Sequence, residues 1–197
     1  MLISCLLCYV LGSIPGGILV AKFFEVPDPR SQGSGNIGAA NMSRVGGRKV
    51  GIITFLFDFL KAFVPISVFY FSGKDPKILA MAALAAVLGH CYSIFLTFKG
   101  GKGVSTMTGA FAILAPVPLL FAALAWALIF YVQKISSLAA MGALMVFMLF
   151  LVYFDFDLIT ILFAGIASTV VVTQHLENLR ALIAGTERTF SDSTDSH

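Results

Sequence analysis

The sequence predicts an all-α, polytopic membrane helical bundle. Three observations carry that prediction. Of the 197 residues 58% are hydrophobic, only 12% are charged, and mean hydropathy is +0.94. An average soluble domain carries roughly 25% charged residues. A soluble chain of this size would have to build its surface from the same apolar side chains. A soluble globular enzyme, a disordered chain and a nucleic-acid-binding module are therefore excluded. Residues 1–190 read as one integral-membrane domain, and the polar stretch 191–197 as a disordered tail or a cloning remnant.

Each span follows from an apolar run. Lys22 is the first charged residue. Residues 1–21 thus lack the basic start of a secretory signal and read as a retained first helix, bent or thinned by Gly12, Pro15, Gly16 and Gly17. Further runs cover 50–71, 78–98, 104–115, 117–132, 138–154 and 158–173, making about seven transmembrane helices. A spanning helix needs about 20 residues. The fourth and fifth runs are shorter, and Pro116 and Pro118 between them mark a stop or tight turn. One long broken helix there would invert everything downstream, so charge arbitrates. With seven spans and the N-terminus outside, one face receives Lys22, Arg30, Arg44, Arg48, Lys49, Lys99, Lys102, Lys134, Arg180 and Arg188. The other receives only Lys74 and Lys77. Cations mark the cytoplasmic side, so the large loops and the C-terminus are expected there.

Cys5, Cys8 and Cys91 suggest no disulfide framework. Cys5 and Cys8 have redox-pair spacing but read as two small hydrophobes on one helix face.

Glycine locates the expected site. Eleven of the 18 glycines lie in two windows, Gly33, Gly35, Gly38, Gly46, Gly47, Gly51 and Gly89, Gly100, Gly101, Gly103, Gly109. Packing glycines would be scattered through the spans. Clustered beside cations, these suggest backbone open to a ligand. In Gly33-Ser-Gly-Asn36, left-handed dihedrals can turn successive N–H groups into an anion-binding nest. Ser34, Asn36 and Asn41 add side-chain donors, and a helix starting near Asn36 would add partial positive charge. Arg44 brings a planar fork suited to phosphate oxygens. A flexible interhelical turn is the plain alternative.

The second window, His90 to Thr106, superficially resembles a P-loop. The positions that would need the motif's first glycine and its Ser/Thr after the lysine hold Leu96 and Gly103, so the NTPase reading is rejected. Gly101, Lys102 and Gly103 are phosphate-binding candidates, with Lys99 as an alternative membrane-side anchor. His90 is either a structural donor or part of that site. In the third segment, His175 and Asn178 lie three apart on a helix and share a face. His175 can exchange protons near neutral pH, and Asn178 can orient a hydroxyl or phosphate. Asp58 and Lys61 are charges within a span, each costing roughly 2.5–3.5 kcal/mol, and need a buried partner. They form either an ion pair with each other or a means by which Asp58 orients a loop lysine. His-Glu-x-x-His, Cys/His ligand spacing and Gly-x-Ser-x-Gly are all missing, so no metal is expected.

Together the three segments resemble the bacterial acyl-phosphate:glycerol-3-phosphate acyltransferase family. The family's Gly-Ser-Gly-Asn-x-Gly-Ala-Thr-Asn is matched by Gly33 to Asn41. Its Gly-His and Phe-Lys-Gly-Gly-Lys-Gly-Val are matched by Gly89-His90 and by Phe98 to Val104. Its His-x-x-Asn-(Ile/Leu)-x-Arg-Leu is matched by His175, Asn178, Leu179 and Leu182, and Gly12–Pro15 also fits. Three positions depart. Ala40 stands where the family usually has Thr, Ser105 where Ala is common, and Ala181 at the Arg position, so that arginine's role is not transferred to Arg180.

The resemblance implies transfer of a fatty acyl group from acyl phosphate to the 1-hydroxyl of glycerol 3-phosphate. The products are lysophosphatidic acid and phosphate. It implies no cofactor and no metal, and no His-x-x-x-x-Asp pair. Phe95 and Arg180 indeed stand five residues after His90 and His175. It further implies a monomer in the bacterial inner membrane with its active site on the cytoplasmic face, among membrane lipids and near an enzyme that makes acyl phosphate. Ser34, Lys102, His175 and Asn178 are the expected catalytic residues. The base is left between His175 and a substrate phosphate, and an acylated Ser34 is an unsupported option. A transporter of phosphate or a small organophosphate is the competing class. Transporters, however, usually show repeats and midplane sites.

Overall fold

The computed structural model describes residues 1–190, so the expectation for 191–197 lies outside the described residues. Among these, every regular element is helical. In chain order they are α1 (Leu2–Ser13), α2 (Gly16–Phe23), α3 (Ala39–Phe71), α4 (Pro76–Cys91), a 3-10 turn (Ile94–Leu96), α5 (Val104–Phe111), α6 (Pro116–Gln133), α7 (Ser136–Tyr153), α8 (Leu158–Gln174) and α9 (Leu176–Ile183). The chain forms two compact units, Met1–Leu114 and Ala115 onward.

Local chemistry sets the helix starts. Asp75 caps α4 by accepting from the Lys77 N–H at 2.8 Å, with Pro76 in the first turn, where a missing N–H costs nothing. Pro116 opens α6 in the same way. Asp157 caps α8 by accepting from the Thr160 N–H at 3.0 Å. Hydrogen bonding from Thr160 holds the Asp157 carboxyl below the usual carboxylate range.

Among the described residues five helical stretches are long and apolar enough to cross a membrane: Leu2–Phe23, Ala39–Phe71, Pro76–Leu96, Pro116–Gln133 and Ser136–Tyr153. The pair Leu158–Gln174 and Leu176–Ile183, bent by 58°, adds a sixth where its two halves are counted as one broken span. The remaining expected run, 104–115, is helical only over Val104–Phe111. That is about 12 Å of helix against a hydrocarbon core of about 30 Å. Its apolar residues instead serve protein packing. Thr106, Met107, Gly109, Ala110 and Phe111 are all buried, and a Cβ at Gly109 would collide with the Phe59 carbonyl of α3.

Two further contacts organise the first unit. Gly12 lies against the Ala86 carbonyl and Gly89 against the Tyr9 carbonyl, so α1 and α4 touch backbone to backbone at two places. The first span breaks at Ile14–Pro15, as its Gly/Pro cluster predicts, and its freed carbonyls find partners. Ser93 Oγ donates to Ser13 O at 2.6 Å and Lys61 Nζ to Ile14 O at 2.8 Å, which a low-dielectric surrounding demands. In the second unit α6 and α7 form a hairpin, with Phe121 stacked on Phe150 at 4.0 Å. Leu124, Leu128, Met145 and Leu149 are exposed on it, as suits helices solvated by lipid.

Candidate active site

The first glycine loop is built by one asparagine. Asn41 is buried in the first turns of α3. Its Nδ2 donates to Asn36 O at 2.8 Å, Pro29 O at 3.0 Å and Gln32 O at 3.1 Å, while Oδ1 accepts from the Ser34 N–H at 2.8 Å. Asn36 Oδ1 accepts from the Gly38 N–H at 2.7 Å, an Asx turn that feeds the chain into α3. Gly33 and Gly35 adopt φ of +58° and +72°, the left-handed geometry expected of them.

The nest does not form. The Ser34 N–H turns to Asn41, and the Gly35 N–H to Gln32 O at 3.0 Å. The helix starts at Ala39 and not near Asn36. The physical reason is local competition: an asparagine within reach satisfies the amides before a ligand can. What this loop offers outward is the exposed Ser34 side chain and the half-buried Asn36. Arg44 follows on the first turns of α3, half-buried, before the chain breaks at Gly47 (φ +84°).

The second loop is anchored on the end of α4. The Gly100 N–H donates to Cys91 O and the Gly101 N–H to His90 O, both at 3.0 Å, filling carbonyls the helix end leaves open. A Cβ at Gly100 would strike the His90 carbonyl, and one at Gly101 the His90 ring at Nε2. These glycines are therefore required by close backbone approach. Thr97 and Phe98 turn the chain at φ of +53° and +61°, uncommon for a β-branched and a bulky residue. Gly103, at φ +87°, opens α5, whose first internal backbone bond runs from the Met107 N–H to Gly103 O at 2.8 Å. The N–H groups of the turn before Met107 carry the helix's partial positive charge, and half-buried Lys102 stands beside them.

Behind this loop lies a buried polar group. Lys61 Nζ is 2.7 Å from Asp58 Oδ1 and 2.9 Å from His90 Nδ1, in addition to its bond to Ile14 O. Asp58 and Lys61 thus form the internal ion pair that their spacing predicted. His90, also buried, joins them.

The second unit places His175 and Asn178 at the α8–α9 bend. His175 is 4% exposed, and its Nδ1 lies 2.8 Å from Val171 O. A carbonyl only accepts, so Nδ1 carries the proton and Nε2 is the nitrogen with a lone pair in the neutral ring. Asn178 Nδ2 donates to Glu187 Oε1 at 2.6 Å, and Ser137 Oγ donates to the same oxygen at 2.6 Å. A carboxylate only accepts, which fixes the amide with its nitrogen toward Glu187. Gly185, at φ +68°, ends α9, and the Thr186 N–H reaches back to Ala181 O at 2.8 Å. That reversal carries Glu187 to Asn178. Sequence reasoning missed Glu187, for which the αL-type stop at Gly185 was the available signal. Arg180 is exposed on α9.

A family model described as Glycerol-3-phosphate acyltransferase matches residues 2–185. The chain belongs to that family. A glycerol-3-phosphate acyltransferase of Rubrobacter xylanophilus is 42% identical over 185 residues, spanning 94% of this chain and 92% of the relative. One of Pseudomonas entomophila is 40% identical over 185 residues, 94% of this chain and 97% of the relative. Among solved structures, PlsY (YgiH), an integral membrane glycerol 3-phosphate acyltransferase, matches in its glycerol 3-phosphate form with a TM-score of 0.91. It is 37% identical and covers 96% of this chain and 94% of that one. The lysophosphatidic acid form gives a TM-score of 0.90 with the same coverage. As an acyltransferase of this family the chain is an integral membrane enzyme, and a transporter is not favoured.

Proposed function

We propose that this acyltransferase moves a fatty acyl group from acyl phosphate to the 1-hydroxyl of glycerol 3-phosphate, forming lysophosphatidic acid and inorganic phosphate. The observation that carries the reading is the full-length likeness to an enzyme solved with both acceptor and product. Acyl phosphate is a mixed anhydride with a good leaving group, so positioning and charge stabilisation matter more than a strong nucleophile. Lys102 and the N-terminal turn of α5 hold the phosphate of the donor. Ser34, Asn36 and Arg44 serve the phosphates of donor and acceptor. Gly101, Gly103 and Gly33, Gly35 shape the two loops, and Asn41 acts through the loop it ties down. His175 and Asn178 bind the acceptor and orient its hydroxyl.

The hydroxyl oxygen attacks the acyl carbon, the acyl–phosphate C–O bond breaks, and the hydroxyl proton ends on the departing phosphate as hydrogen phosphate. Because the leaving group needs that proton, the substrate phosphate serves as the final base. His175 Nε2 accepts from the acceptor hydroxyl and so holds it toward the acyl carbon. The chain works as a single membrane domain and a monomer, with the N-terminus outside and the site on the cytoplasmic face of the inner membrane. Seven crossings arise if α5 crosses as a short helix enclosed by protein.

The test supplies purified enzyme with acyl phosphate or acyl-CoA, with and without glycerol 3-phosphate. The expected result is phosphate release from acyl phosphate that requires the acceptor and matches lysophosphatidic acid formed. Thiol release from acyl-CoA at a comparable rate overturns the donor assignment. Single cysteines placed in 72–77 and in 99–103 test sidedness: only the first set should label from outside intact cells.

A further inference from the structure

We propose that Lys61, held by Asp58, fixes His90 as a positioning residue for the loop that carries Lys102. The proposal rests on the acyl-transfer reading above for its kinetic consequence and on geometry alone for its structural one. A lysine ammonium has three donor hydrogens and no acceptor. Lys61 donates to Ile14 O at 2.8 Å, lies 2.9 Å from His90 Nδ1, and has its charge paired with Asp58 Oδ1 at 2.7 Å. His90 Nδ1 must then accept. Asp58 does not compete for this nitrogen, because its Oδ1 lies 3.6 Å away, beyond a useful hydrogen bond. His90 is therefore neutral with its proton on Nε2.

That edge of the ring faces Gly101 so closely that a methyl there would land on Nε2. The backbone of the same histidine accepts from the Gly101 N–H at 3.0 Å. His90 thus grips the loop at two points, main chain and ring, one residue before Lys102. Lys61 also holds Ile14 O at the break in the first span, so one ammonium joins α1, α3, α4 and, through His90, the phosphate loop. A buried ion pair is costly and often replaceable by apolar residues. Its third partner gives this one a purpose that apolar residues cannot supply.

Two measurements on the full-length enzyme test the proposal. In 15N-histidine NMR, the resonance lost in His90→Asn should report a neutral ring protonated at Nε2. A ring protonated at Nδ1, or at both nitrogens, overturns the assignment. In kinetics, Lys61→Met alone would strand the Asp58 charge, so the informative variant is Asp58→Asn with Lys61→Met, which removes both charges. Its thermal midpoint should stay within about 4 °C of the parent. Its kcat should nonetheless fall about 10- to 100-fold, the cost of misplacing a reacting group by about 1 Å, with KM for glycerol 3-phosphate little changed. His90→Gln, whose amide can occupy the Nε2 position, should recover part of the kcat that His90→Asn loses. Double-variant protein that folds and turns over like the parent overturns the proposal, as does equal activity of His90→Gln and His90→Asn. If the double variant does not fold, the NMR assignment and the His90 pair still decide. Absence of acyl transfer by the parent enzyme sinks the reaction and leaves the NMR arm standing.

Discussion

His90 and His175 are both almost fully buried, at 3% and 4% exposure, and both sit where a long apolar helix ends. Their Nδ1 atoms do opposite things. His90 Nδ1 faces a lysine and accepts; His175 Nδ1 faces the Val171 carbonyl and donates. The neutral rings are therefore opposite tautomers, one with a proton at Nε2 and one with a lone pair there. Residue type alone does not fix what a histidine offers at Nε2; the partner of its other ring nitrogen does. The lone-pair ring suits an acceptor hydroxyl, and the N–H ring suits a scaffold.

The largest expected effect breaks the His90 side at its outlet. Lys102→Ala removes the cation that the proposed reaction sets against the donor phosphate. kcat should fall about 10²- to 10³-fold, the usual loss on removing one transition-state charge partner. Phosphate release under saturating substrates measures it. A loss below about tenfold would mean that the N-terminal turn of α5 holds the donor without help.

The next effect breaks the His175 side. His175→Ala should cost about 10- to 100-fold in kcat/KM, the cost of leaving one polar group of the bound acceptor without its partner, about 1–3 kcal/mol. Most of it should appear as a raised KM for glycerol 3-phosphate, with saturating turnover retained. A collapse of kcat with KM unchanged would instead make His175 the obligatory base. Glu187→Gln is gentler. The amide can still accept from Asn178 through one oxygen, but the charge assistance is gone and its NH2 group can clash with Asn178 Nδ2. A loss of about tenfold is expected, and Glu187→Asp should recover little because the shorter arm cannot reach both Asn178 and Ser137.

Much of this was legible in the chain. Composition dictated the helical membrane class, and Gly12 with Pro15 marked the break in the first span. Asp58 and Lys61 announced a buried pair by their spacing alone. Two inferences drawn from glycine failed for physical reasons. Glycine clustering suggests backbone open to ligand. Yet Gly89, Gly100 and Gly109 are glycine because a carbonyl of Tyr9, His90 or Phe59 occupies the space of a Cβ. The anion nest at Gly33–Asn36 failed because Asn41, seven residues beyond Ser34, takes the amide first. Both errors treat a local pattern as if nothing distant could satisfy it. Hydrogen bonds between residues far apart in sequence, such as Lys61 to His90 and Ser137 to Glu187, leave no periodic trace to read.

The smallest effect tests how far the rigidity of the first loop extends. Asp28 and Arg30 pair at 2.6 Å, but their side chains are 41% and 56% exposed. Hydrogen bonds from Arg30 hold the Asp28 carboxyl down at about 2. Since the folded value is depressed, any stabilisation is fully present above the ordinary carboxylate value and disappears as pH falls toward about 2. At neutral pH the pair is intact, though exposed and screened by salt. Asp28→Asn should therefore shift thermal stability by less than about 1 kcal/mol and leave turnover unchanged. The neighbouring Pro29 carbonyl is one of the three that Asn41 holds. If Asp28→Asn slowed transfer by more than about fivefold, equivalent to about 1 kcal/mol, Asn41 would not be sufficient to set the loop. The surface pair would then share in the placement of Ser34.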